Sequence, residues 1–140
     1  MSKKQRISER LRQQVRERAN GRCEYCLIHE NDVAFPHEAD HIIAEKHGGT
    51  AALDNLAWAC AICNRYKGTD VASVVRQTGQ VAALYNPRRQ IWSRHFRYVD
   101  GRIEPLTVAG RVTAALLHFN DPRRVEERRG LAEVGRYPQH

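Results

Sequence analysis

Two Cys-x-x-Cys pairs, Cys23/Cys26 and Cys60/Cys63, contain every cysteine in the chain and constrain its fold more than any other feature. With two residues between ligands, one turn of chain can place both sulfurs on the same ion, at a Zn–S distance of ~2.3 Å, and two such pairs complete a tetrahedron. Four merely apolar, buried cysteines would have no reason to repeat this spacing. A thioredoxin-like redox centre needs one pair, at the start of a helix after a strand, and leaves the second pair unexplained. The pattern predicts structural zinc on Cys23, Cys26, Cys60 and Cys63. Closed by four thiolates, such a site has no open coordination position, so it staples the chain and performs no chemistry. It ties together the two ends of segment 27–59 and brings the contents of that loop towards whatever follows Cys63.

At 140 residues the chain is expected to be a single domain with a small core, to which a structural metal would add folding free energy. Its formal net charge is +7, from 23 Lys and Arg against 16 Asp and Glu. A surplus of this sign favours a polyanionic partner, because basic clusters release counterions from nucleic acid. The cations bunch at residues 3–18, 88–97 and 123–129. Acidic residues are interspersed in the first and third clusters, so part of that charge is expected to pair along helices. No apolar run is long enough to span a bilayer, and no apolar segment follows the basic N-terminus as it would in a secretory signal. The expected location is the cytoplasm, where thiols stay reduced and are free to ligate metal.

Residues 8–20 read as a helix, with Ser8 as N-cap, Leu11, Val15 and Ala19 on one stripe and Gly21 beyond the end. Residues 33–43 read as one or two short strands, limited by Pro36. Gly48-Gly49-Thr50 marks a turn, residues 53–58 lead back to the second cysteine pair, and a helix is expected from Ala61 to Lys67, closed by Gly68. Further on come a turn at Gly79, a short strand at 81–85, a helical turn at 91–96 and a hairpin across Asp100-Gly101. Two helices finish the chain, one capped by Thr107 and running to about Phe119, the other opened by Asp121-Pro122 and ending near Gly135.

Enclosed by the cysteines are Asp40-His41, then Asp54-Asn55-Leu56. Immediately after them comes Asn64-x-x-Lys67-Gly68. Taken in order, Cys23-Glu-Tyr-Cys26, Asp40-His41-Ile42-Ile43, Gly48-Gly49, Asp54-Asn55-Leu56 and Cys60-x-x-Cys63-Asn64-x-x-Lys67-Gly68 resemble the zinc-bearing HNH endonucleases over about residues 12–70. The remainder, about 71–140, resembles the C-terminal extension of small bacterial members through Leu84-Tyr85-Asn86-Pro87-Arg88, Trp92, His95-Phe96 and Gly110-Arg111. The resemblance implies an α+β chain built on a ββα-metal finger. A hairpin carries His41, a loop carries Asn55 and a helix carries Asn64, with an N-terminal helix before the finger and a hairpin and two helices after it. Many members have Pro after the Ile-Ile step; Ala44 stands there here. Asn64 takes a position often held by His.

The implied activity is metal-dependent hydrolysis of DNA phosphodiesters. Such hydrolysis needs an activated water and neutralisation of the charge on the phosphorane and the leaving oxygen. His41 would be the general base. Asp40 and Asn64 would hold a divalent ion, Mg²⁺ or Mn²⁺, since oxygen ligands suit hard ions. Asn55 would tie the loop to the strand and orient His41, and Lys67 would reach a phosphate. Adjacent residues of a regular strand face opposite ways, so a bulge or the strand end must re-aim Asp40 or His41. His29, His37 and His47 are expected at the surface. The arginine-rich helices would grip the DNA backbone with little base readout, and the protein would act as a monomer or homodimer. The competing reading is a non-catalytic, zinc-stabilised nucleic-acid-binding module, which keeps the cysteines and cations but does not need Asp40, His41 or Asn64.

Overall fold

The computed structural model describes residues 7–138; Lys3, Lys4 and Arg6 of the first basic cluster and the terminal His140 lie outside the described residues. Ser8 caps helix α1 (Glu9–Arg18), its Oγ accepting from Leu11 N, and Asn20 and Gly21 end it with φ of 55° and 72°. Leu11, Val15 and Ala19 turn inward onto Leu56 and Trp58, as their spacing predicts. Strand β1 (Glu38–His41) pairs antiparallel with β2 (Leu56–Ala59), placing Asp40 opposite Ala57 and His41 opposite Leu56. Helix α2 (Ala61–Lys67) follows at once, with the Cys60 side chain as its N-cap and Gly68 as its C-cap. Hairpin and helix form the ββα unit implied by the sequence.

The extended segment is shorter than residues 33–43. A single helical turn (Glu30–Asp32) precedes it, and pairing starts only after Pro36, whose ring nitrogen has no hydrogen to donate to a ladder. A second ribbon pairs β3 (Ala72–Val74) with β4 (Val81–Ala83). The sequence showed only the latter strand. A three-residue strand with one exposed face carries too little alternation to stand out. Helix α3 (Trp92–His95) leads into the third ribbon, β5 (Phe96–Val99) and β6 (Arg102–Pro105). Asp100 and Gly101 both take positive φ, 47° and 87°, as a two-residue hairpin turn requires. Helices α4 (Val108–Leu116) and α5 (Pro122–Glu133) complete the order, capped by Thr107 and Asp121.

One apolar cluster spans both halves of the chain: the four cysteines and Tyr25 pack with Tyr85, Phe96, Ile103, Leu117 and Phe119. Polar ties reinforce it. Trp92 Nε1 donates to Tyr25 O at 2.8 Å, and the Tyr137 hydroxyl donates to Cys26 O at 2.9 Å. The C-terminal segment is thus packed around the first cysteine knuckle. No helix among the described residues is long and apolar enough to cross a membrane.

Candidate metal centre and nuclease site

Both knuckles are built the same way. Cys26 N points at Cys23 Sγ and Cys63 N at Cys60 Sγ, each at 3.4 Å. All four sulfurs lie within 4.8 Å of one another and all four residues are buried. Cys26 and Cys60 Sγ are 3.7 Å apart. Tetrahedral zinc with Zn–S of ~2.3 Å requires S···S of about 3.8 Å, so the site fits the ion. The electrostatics agree. Burial pushes the Cys23 and Cys63 thiols well up, while hydrogen bonds from Cys23, Cys60 and Cys63 pull Cys26 well down. Four buried thiols this close cannot all ionise unaided, and a dication that takes them as thiolates removes the conflict.

A cation from the far end of the chain reaches the same sulfurs. Arg124 Nη2 is 3.3 Å from Cys63 Sγ and 3.9 Å from Cys60 Sγ. Burial works against its charge, but the sulfurs of Cys63, Cys26 and Cys60 outweigh burial and raise its pKa above the ordinary value. Nothing in the sequence singled out Arg124 from its neighbours in a basic run.

Around His41 the hairpin is regular. No bulge interrupts the pairing from Glu38 to His41, so Asp40 turns inward and His41, the last residue of the strand, is half-exposed. Asp40 is buried, and Lys67 Nζ at 3.0 Å and the Tyr25 hydroxyl at 3.2 Å both meet its Oδ2. Burial raises the Asp40 carboxyl above its ordinary pKa, an effect Lys67 opposes. His41 lies within electrostatic reach of this carboxylate. Its Nε2 is sealed from solvent without a hydrogen-bond partner among the described residues.

The Asn55 side chain closes the loop between the strands. Its Oδ1 accepts from Ile43 N at 3.0 Å, and its Nδ2 donates to Ile43 O at 2.9 Å and Thr50 O at 2.8 Å. Gly49 fits beneath it, because a Cβ there would lie 1.7 Å from Ile43 O. Asn64 sits on α2 one turn before Lys67 and therefore on the same face, half-buried.

Two sequence-based expectations are corrected. Lys67 does not face a phosphate: it is buried, and its ammonium donates to His41 O at 3.0 Å and Ile42 O at 3.3 Å besides pairing with Asp40. At the last turn of a short helix packed across the hairpin, its long side chain has no outward path. His37 is not at the surface. It is 1% exposed, lies with its ring tilted against Trp58 and hydrogen-bonds Ile28 O through Nε2. Part of the arginine charge in the helices is also paired or buried, while Arg10 and Arg123 are exposed. In α5, Arg124 and Arg128 are buried, Arg128 donating to Gly101 O and Phe119 O, while Arg129 pairs with Asp100 and Glu126. In α1, Arg12 covers Trp58 and Arg18 donates to Leu53 O and Leu56 O. Arg88 pairs with Glu24.

Residues 23–70 match the family model described as HNH endonuclease. No curated protein and no solved structure matched the chain. The matched segment begins at the first knuckle, contains the hairpin, and ends just past α2. Residues 23–70, roughly a third of the chain, are therefore similar to an HNH domain, and they contain the four cysteines placed to hold a metal.

Proposed function

We propose that the protein is a metal-dependent DNA endonuclease. The observation that carries this reading is the hairpin's own geometry: His41 ends β1 with its backbone pinned by Lys67, beside a loop locked by Asn55, in a segment that matches the HNH family. His41 accepts the proton of the attacking water. Its Nε2 is enclosed by protein, so the transfer is assigned to Nδ1. Asn55 acts on the loop and not on substrate. Asp40 and Asn64 would hold the divalent ion: the contacts of Asp40 with Lys67 and Tyr25 fall on Oδ2, so Oδ1 can face a cation, and Asn64 offers its amide oxygen from the neighbouring helix. When bound, Mg²⁺ or Mn²⁺ would supply positive charge for the phosphorane and leaving oxygen. Lys46, in the loop after His41, and Arg65, next to Asn64, are outward-facing cations placed to meet the DNA backbone.

A non-catalytic nucleic-acid-binding module is the second reading. One observation favours it: the Lys67 ammonium already neutralises the carboxylate that would bind the ion. The two separate in a plasmid assay with zinc-loaded protein. Cleavage that requires Mg²⁺ or Mn²⁺ and disappears in His41→Ala supports the nuclease. Salt-sensitive DNA binding with no cuts under any divalent ion replaces it with the module.

A further inference from the structure

We propose that Arg124 is a positioning residue of the zinc site, donating to the Cys63 and Cys60 thiolates and making the C-terminal segment part of the metal's surroundings. The inference does not depend on nuclease activity. Arg124 is 7% exposed, yet it takes part in none of the ion pairs among the described residues. A buried guanidinium needs acceptors for its donors, and an anionic one compensates its charge as well. Among the described residues the anionic atoms within hydrogen-bonding distance are the sulfurs, Cys63 Sγ at 3.3 Å and Cys60 Sγ at 3.9 Å. Buried Arg128 is a useful contrast, since its donors go to the Gly101 and Phe119 carbonyls and the Asn120 amide oxygen.

The knuckle amides explain why a remote donor is needed. Cys23 and Cys60 each receive an N–H from their own Cys-x-x-Cys turn. Cys63 is the second ligand of its pair and gets no such donor from its turn; Arg124 supplies one from 61 residues away. Four thiolates around one zinc carry net negative charge into an apolar cluster, and a guanidinium placed there offsets it. The other half of the same guanidinium is fixed: Nη1 donates to Leu117 O at 2.7 Å and His118 O at 3.2 Å, just past the end of α4. One side chain therefore links the end of α4, the start of α5 and the metal ligands.

The test uses the full-length, zinc-loaded protein and its cobalt(II)-substituted form. Arg124→Met keeps an apolar stem and removes the donors; Arg124→Lys keeps the charge, but one ammonium cannot span the carbonyls and the sulfurs. Loss of a group that orients metal ligands typically costs about 10–100-fold in metal affinity. Zinc transfer to a chromogenic chelator should accelerate by about that factor in Arg124→Met, with Arg124→Lys between it and the parent. The sulfur-to-cobalt charge-transfer band of Arg124→Met should move to lower energy, because a thiolate without its donor releases electrons more readily. A purely structural role for Arg124 would lower the urea midpoint but leave the cobalt band where it is, and that result overturns the proposal. If Arg124→Met does not fold, Arg124→Lys decides: parent-like zinc transfer and an unmoved band reject the idea.

Discussion

Replacing Lys67 by Met should destabilise the protein severely, and the reason can be worked from four contacts. The ammonium lies 3.0 Å from Asp40 Oδ2 and donates to the His41 and Ile42 carbonyls, while Asp40 also accepts from Tyr25. The two side chains are 3% and 6% exposed, so solvent barely screens the pair. Removing one partner of a buried pair costs about 3–5 kcal/mol, because the other charge is stranded. That is a large part of the roughly 5–15 kcal/mol that holds a domain together. Urea unfolding at fixed excess zinc, with metal held constant because it too favours the folded state, measures the loss. The double variant Lys67→Met/Asp40→Asn removes the stranded charge and should recover more than half of it. If Lys67→Met costs under about 1 kcal/mol, the ammonium is not buried on Asp40 and the reasoning fails. If the double variant is no more stable than the single one, the two carbonyl bonds, and not the charge, hold the strand to α2. A phosphate-contacting lysine would behave oppositely, with stability intact and DNA affinity reduced.

Asn55→Ala removes three hydrogen bonds and leaves Ile43 O without its donor, so a loss of about 1–3 kcal/mol is expected, with faster amide exchange across residues 43–50. In Gly49→Ala the new methyl meets Ile43 O, and the forced loop shift should cost at least about 1–3 kcal/mol; a urea midpoint equal to the parent's would contradict the packing of Gly49 against that carbonyl. Lys46→Ala and Arg65→Ala should each lower DNA affinity across all sequences and reduce the salt slope of binding by about 1, measured by fluorescence anisotropy. Burial, and then the Glu24 charge, push the Tyr85 hydroxyl up to about 12, and burial also raises Tyr25 and Tyr137. These groups hold their protons longer folded than unfolded, so stability is complete below the unfolded tyrosine value near ~10 and is lost as pH climbs from there towards about 12. Phenolate absorbance should therefore rise late and together with unfolding.

The metal frame was legible in the sequence, because ligand spacing within a Cys-x-x-Cys turn is a local property of a few bonds. So were the caps at Ser8, Thr107 and Asp121, the Asp100-Gly101 turn and the span of α2, each set by residues adjacent in the chain. What the charges do was not legible. Lys67 read as a phosphate contact, and Arg124 and Arg128 as members of a basic run, yet each is buried, because the sulfurs, carboxylate and carbonyls they meet belong to segments brought together only by folding. Arg124 meets Cys63 across 61 residues and Lys67 meets Ile42 across 25. Burial is a property of the packed whole, so local sequence located the ligands and the turns, and only the tertiary structure decided which cations serve the fold and which face outward.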